Sequence, residues 1–452
     1  MFKSLSQLFR PRVEALGLEI GASALKHAEV SGNPPALKAL ASRPTPPGLL
    51  MEGMVAEPAA LAQEIKELLL EARTRKRYVV TALSNLAVIL RPIQVPKMPL
   101  KEMEEAVRWE AERYIPFPID EVVLDFAPLT PLSEVQEGEQ VQVMVAAARQ
   151  EAVAGVLEAL RGAGLVPVVL DVKPFAGLYP LEARLAEEPD RVFLVLDIGA
   201  ESTSLVLLRG DKPLAVRVLT LSGKDFTEAI ARSFNLDLLA AEEVKRTYGM
   251  ATLPTEDEEL LLDFDAERER YSPGRIYDAI RPVLVELTQE LRRSLEFFRI
   301  QLEEASPEMG YLLGGGSKLR GLASLLTDTL GVNFEPVNPW EAVAVDPKRF
   351  ESEQLQEIGP EFAVALGLAL RGVEPRDEAE PAPQKPPAPG GAGLVAPPRP
   401  PLRPRGPRGL GARPLHRLHR AFPGQGGAGP APGGGGGLEA LHRRARPPAG
   451  GA

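Results

Sequence analysis

Leu16-Gly17-Leu18-Glu19-Ile20-Gly21-Ala22-Ser23, near the start of the chain, and Val195-Leu196-Asp197-Ile198-Gly199-Ala200-Glu201-Ser202, in its middle, have one shape. Each is an apolar run that reaches a carboxylate, leaves one apolar position and turns through glycine into small or hydroxyl residues. Glycine carries no Cβ, so backbone N–H groups beside it can approach an anion, and a neighbouring carboxylate can hold hydrated Mg²⁺. Further on, Tyr311-Leu312-Leu313 runs into Gly314-Gly315-Gly316-Ser317-Lys318 before a helical pattern over 319–330. Two phosphate hairpins, with a separate glycine turn under the base, describe a nucleotide held between two related half-molecules. A single acidic-x-Gly turn is more often an ordinary loop. Three such signals in this order carry the argument.

Working outward, strand-like runs at 15–20, 25–31 and 37–42 precede a helix predicted over 58–72, with Leu61, Ile65, Leu68 and Leu69 on one face. Strands at 78–83 and 88–95 follow. The same opening recurs at 192–196, 203–208 and 214–219, which marks an internal duplication. Helical patterns cover 226–234, 240–248 and 276–301, with a strand at 309–313 and a small, apolar closing helix at 359–370. Between the halves, Leu100, Met103, Val107 and Tyr114 line a helix and Val153, Val156, Leu157 and Leu160 line a second, with strands at 122–126, 141–147 and 166–170.

The fold class expected is therefore α/β and duplicated, with an inserted α+β subdomain and a disordered C-terminal tail. The expected divisions are an amphipathic leader at 1–12, the first part of domain I at 13–98, the insert at 99–170, a crossover at 171–190, domain II at 191–358, the closing helix at 359–373 and the tail at 374–452.

Composition bounds the partners. No apolar run approaches the roughly 18 residues that span a bilayer, and nothing at the N-terminus reads as a secretion signal. With no cysteine there is no disulfide framework and no thiolate metal site. The simplest expectation is a cytoplasmic protein. The formal charge of −10 hides an asymmetry: residues 381–452 carry eleven Lys and Arg against one acidic residue, which leaves 1–380 at a net −20. An acidic body argues against nucleic acid as the main partner, since that binding is driven by basic surfaces. The tail holds 17 Pro and 17 Gly in 72 residues, too little apolar surface to offset its backbone entropy. It is given no function.

The order of the three glycine motifs resembles the actin-like ATPase superfamily, in which two hairpins embrace the phosphates and a GGxS-type turn supports the adenosine. Arg108-Trp109-Glu110-Ala111-Glu112-Arg113-Tyr114-Ile115-Pro116-Phe117, followed by Asp120 to Phe126, narrows the resemblance to the PilM family in the FtsA-like branch, over residues 13 to 373. This implies an actin-like (ribonuclease H-like) fold and ATP with Mg²⁺ as cofactors. It also implies a place in the type IV pilus inner-membrane platform, with the cytoplasmic N-terminal peptide of PilN and other platform proteins as partners. Membrane association would be indirect, so the expected location is cytoplasmic and peripheral to the inner membrane. Two alternatives stand beside it: an FtsA-like filament or membrane tether, and a small-molecule kinase of the same superfamily.

By this resemblance Gly21, Ala22, Ser23 and Lys26 would meet the β/γ-phosphates from the first half, and Gly199, Glu201 and Ser202 from the second. Asp197 is the expected metal carboxylate, with Glu19, where the family usually has aspartate, as a second; the plainer alternative for both is a strand-end carboxylate capping nearby N–H groups. Glu242 and Lys245 fit the AExxK helix laid against ribose and base, and are equally an exposed helix pair. Gly314, Gly315, Gly316 and Ser317 form the floor. No catalytic residue is assigned. Where the chaperone ATPases have a glutamate before proline, this chain has Lys173 before Pro174, and a protonated amine cannot act as a base; Asp171 is the nearest substitute. Nucleotide binding with weak or absent turnover is expected. Trp109 and Tyr114 read as core residues or as partner contacts, with core favoured.

Overall fold

The computed structural model describes residues 14–130, 132–253, 271–302 and 306–373. All of them lie in one compact unit, Met1–Pro401. The expected leader and tail fall outside the described residues.

The first lobe opens with three antiparallel strands, β1 (Leu16–Ile20), β2 (Ala24–Ser31) and β3 (Ala36–Pro44), and a small ribbon of β4 (Leu50–Met51) and β5 (Met54–Val55). Helix α1 (Pro58–Glu71) follows, begun by proline at its first position, where the missing N–H costs nothing. Strand β6 (Tyr78–Leu83) then pairs parallel with β1. The chain leaves the lobe through β7 (Val88–Pro96), α2 (Leu100–Ala111), β8 (Val122–Pro128) and β9 (Gln140–Arg149). It returns through α3 (Gln150–Gly162), β10 (Val166–Val172), α4 (Lys173–Ala176) and α5 (Glu182–Ala186). The second lobe repeats the opening with β11 (Val192–Ile198), β12 (Thr203–Arg209) and β13 (Lys212–Leu219). Then come α6 (Gly223–Phe234), α7 (Leu238–Tyr248), α8 (Pro273–Gln301), β14 (Met309–Leu313), α9 (Leu322–Leu330) and β15 (Asn333–Pro336), and finally α10 (Ser352–Arg371).

The two main sheets have the orders β10-β6-β1-β2-β3 and β13-β12-β11-β14-β15. In both, a three-stranded antiparallel meander is extended by two parallel strands on the side of its first member. The duplication visible in the sequence is therefore a duplication of topology, in line with the duplicated α/β fold expected. One core cluster joins Leu18, Leu25, Ile65 and Leu160 of the first lobe to Val195, Val206 and Tyr311 on one face of the second sheet, and another, with Leu194, Leu207, Ile230 and Leu287, fills that sheet's other face.

The insert's sheet has the order β7-β9-β8 and encloses Ile93, Met103, Val107 and Val143. Strand pairing thus draws the insert as Val88–Arg149 rather than 99–170. Among the described residues β7 pairs with β9 alone, whereas β10 pairs with β6, and α3 packs on α1, so both return to the first lobe. Sequence alternation identifies a strand without saying which sheet it joins.

Helix α10 is longer than the expected closing segment and contains Pro360. It lies against β1 so closely that a Cβ on Gly17 would sit 2.4 Å from both Ala365 O and Ala369 N. Among the described residues no helix is long and apolar enough to cross a membrane.

Candidate functional site

The two glycine motifs close by the same hydrogen bond. In lobe I the Gly21 N–H donates to Ala24 O at 3.1 Å, and in lobe II the Gly199 N–H donates to Ser202 O at 2.9 Å. The glycine amides therefore close the turns and are not available to a ligand. Among the described residues the N–H groups of Ala22, Ser23, Ala200 and Glu201 make no hydrogen bond, and these are the donors the turns leave open. Each turn is anchored from behind. The Gly21 carbonyl accepts from Thr45 Oγ1 at 2.6 Å, and the Gly199 carbonyl accepts from the Gly223 N–H at 2.8 Å, where α6 begins. A Cβ on Gly223 would lie 3.0 Å from Gly199 O, so glycine permits that approach.

The carboxylates beside the turns lie close enough for the Glu19 charge to act on Asp197. Glu19 is buried, with Oε2 3.2 Å from Lys26 Nζ and Oε1 3.1 Å from Lys173 Nζ. Burial alone would raise its pKa; the two ammonium groups outweigh this and hold it below the usual carboxylate range. Each Glu19 oxygen thus has its own lysine, which runs against the expectation of Glu19 as a metal ligand. Asp197 makes no hydrogen bond or ion pair among the described residues. Burial, and next the Glu19 charge, push its pKa up to about 6, opposed by Lys173 and Lys26.

The triple-glycine turn packs directly against the second hairpin. Gly314 has φ +82°, and a Cβ there would fall 2.4 Å from Asp197 Oδ1. A Cβ on Gly316 would meet Ile198 Cγ2 at 2.5 Å, while Gly315 has only Glu361 Oε2 near it, at 3.8 Å. Ser317 is buried and donates from Oγ to Gly314 O at 2.7 Å. The Gly314 N–H donates to Pro360 O at 2.8 Å, which ties this turn to α10.

Glu242 and Lys245 point at each other. Lys245 Nζ lies 2.6 Å from Glu242 Oε2 and donates to Gly223 O at 2.9 Å and Thr227 Oγ1 at 2.8 Å. Burial lowers the Lys245 pKa, and Lys245 and Thr227 together outweigh the effect of burial on Glu242 and lower its pKa. The pair thus braces α7 against the start of α6, behind the second hairpin, and the expected position of Lys245 over a base is not what its bonds show. Asp171 is fully buried, accepting from its neighbour's Val172 N–H at 2.7 Å and from Tyr179 Oη at 3.1 Å, so it is committed to the interior.

Sequence reasoning missed Thr45, Gly223 and Asn85. Asn85 is buried after β6 and donates from Nδ2 to Ser202 Oγ at 3.2 Å, joining lobe I to the second hairpin; its Oδ1 is buried without a partner. No local signal marks it, because its partner lies 117 residues away. Among the described residues no group of three or more His, Cys, Asp or Glu could hold a metal ion. A hydrated Mg²⁺ needs no such group, since it uses one or two carboxylates and takes its other ligands from phosphate and water.

On the insert, Trp109 is 75% exposed, contrary to the preference for core. Helix α2 buries Met103, Val107 and Ala111, a four-residue spacing that turns Trp109 outward. The end of the same helix and the sheet beneath it enclose only a small apolar pocket of about 10 Å³, lined by Ile89, Arg91, Ile93, Tyr114, Ile115 and Val145.

The family model described as type IV pilus assembly protein PilM matches residues 17–373. A solved chain from a PilM-PilN type IV pilus biogenesis complex is 91% identical; the match covers 81% of this chain and 100% of that one, with a TM-score of 0.74. The ethanolamine utilization protein EutJ from Carboxydothermus hydrogenoformans is 16% identical, over 80% of this chain and 91% of that one, with a TM-score of 0.46. MreB 5 of Spiroplasma citri, solved bound to AMPPNP, is 15% identical over 76% and 97%, with a TM-score of 0.41.

Proposed function

The chain belongs to the type IV pilus assembly protein PilM family, and on that premise we propose that it is a nucleotide-binding scaffold of the pilus assembly platform that takes the N-terminal peptide of PilN. The observation that carries the partner is the 91% identity to a chain from a PilM-PilN complex, a match that spans the whole of that chain. A location at the inner membrane through such partners accompanies this reading.

The nucleotide part rests on the paired turns. Four open amides, on Ala22, Ser23, Ala200 and Glu201, come from two lobes and flank one cleft, an arrangement suited to a phosphate chain. Mg²⁺, when bound, would offset phosphate charge, and Asp197 is the carboxylate placed to hold it. Gly315, open where its neighbours are packed, is the floor position a nucleoside could approach. Asp171 is committed to the interior and Lys173 is paired to Glu19, so neither residue of the crossover is placed as a base to activate water. That favours a binding protein over a rapid ATPase or a kinase. For the peptide, the exposed Trp109 and Tyr114 on the insert offer aromatic contact surface.

Titration with ATP and with a PilN N-terminal peptide, followed by steady-state phosphate release, tests the proposal. Binding of both with little phosphate release is expected. Rapid turnover that depends on a small acceptor, or no peptide binding, overturns it.

A further inference from the structure

The side chains of Glu19, Lys26 and Lys173 are 8%, 10% and 13% exposed, so this is a nearly dry cation-anion-cation cluster at the foot of the first hairpin. Lys26 faces Glu19 across the β1–β2 pair, and Lys173 arrives from the end of β10, on the far side of β6. An ammonium group has three N–H donors. Among the described residues Glu19 is the only acceptor either lysine uses, so four donors on two largely buried cations have no protein acceptor. Burying charged donors in that state is costly, and an anion relieves it.

We propose that Lys173 is a specificity-determining residue of the cleft: together with Lys26 it meets the terminal phosphate of a nucleoside triphosphate, while Glu19 holds the two lysines and not a metal ion. This rests on the reading of the cleft as a nucleotide site. The direction follows from the layout. The triple-glycine turn abuts Asp197 and Ile198 in lobe II, whereas the lysine cluster belongs to lobe I. A phosphate chain that starts from a nucleoside over the glycine turn reaches the lysines last. A diphosphate stops short of them, and a triphosphate exchanges water for charge-assisted hydrogen bonds.

The test is calorimetric titration of the full chain with ATP and ADP, in Mg²⁺ and in EDTA. Wild type binds ATP about tenfold or more tighter than ADP in Mg²⁺. Lys173→Gln, in which Lys26 still neutralises Glu19, loses about tenfold for ATP and less than about threefold for ADP, and Lys173→Arg restores most of the preference. Asp197→Asn removes the difference between Mg²⁺ and EDTA, and Glu19→Gln keeps it. Equal ATP and ADP affinity in wild type, equal losses for both in Lys173→Gln, or loss of the Mg²⁺ effect in Glu19→Gln overturns the proposal. A wild type that binds neither nucleotide overturns the reading of the cleft itself.

Discussion

The two hairpins share a backbone and differ in charge. Lobe I places its carboxylate opposite a lysine, Glu19 against Lys26, and brings a second lysine to it from β10. Lobe II places Asp197 opposite Ser204 in the same register, and among the described residues no cation pairs with it. Repeating a fold therefore did not repeat a site. One half holds two ammonium groups against one carboxylate, and the other presents a carboxylate with no ion-pair partner among the described residues. A Mg²⁺-bound phosphate chain complements that asymmetry, because it carries anionic oxygen for the first half and a cation for the second.

The largest expected effect is in the support of lobe II. Gly314→Ala puts a Cβ 2.4 Å from Asp197 Oδ1 on a backbone with φ +82°, and should cost about 4 kcal/mol in urea unfolding. A change below about 1 kcal/mol would mean that this turn does not rest on the second hairpin.

Next, Glu19→Gln should destabilise by about 3 kcal/mol, because it leaves two buried ammonium groups without their anion. The mirror change, Asp197→Asn, should stabilise the nucleotide-free protein by about 1–2 kcal/mol, after allowing for solvent at the half-buried carboxylate. Opposite signs from matching positions are the clearest mark of the asymmetry, and chemical denaturation near neutral pH reads both. Equal signs would erase it.

The pH dependence carries the same contrast. The folded pKa of Asp197 lies above its unfolded value, so its contribution to stability is present in acid and is lost as pH rises from about 4 through about 6. The folded pKa of Glu19 lies below its unfolded value, so its contribution is present above the ordinary carboxylate range and is lost as pH falls below it. Melting temperature followed from pH 4 to 7 should rise more steeply in Asp197→Asn than in wild type, and an unchanged slope would contradict the assignment.

The smallest effect belongs to the link between the lobes. Asn85→Ala removes the bond to Ser202 and also the unpartnered Oδ1, so it should cost only about 1 kcal/mol. It should loosen nucleotide binding without changing the ATP preference. A selective loss for ATP would instead place Asn85 in the terminal-phosphate site.

Much of the fold was legible because it is written twice. The alternation and turn glycines of 15–42 recur at 192–219, and the structure pairs both sets as the same meander. The pieces that escaped lack local signal. β15 and the β4–β5 ribbon are too short for periodicity to register, and Pro360, a usual helix breaker, hid the first turns of α10. The hairpins and the glycine floor could be located from local motifs. Which atoms do what could not, because the deciding contacts are distant: Lys173 reaches Glu19 across 154 residues and Asn85 reaches Ser202 across 117. Likewise Lys245 looked available until Gly223 and Thr227 were placed beside it.

Hydrogen–deuterium exchange with and without Mg²⁺-ATP, read at Ala22, Ser23, Ala200 and Glu201, tests most directly whether two lobes make one site. These four amides should gain protection together on binding. Protection confined to one hairpin, or absent from both while ATP is bound, would contradict the account.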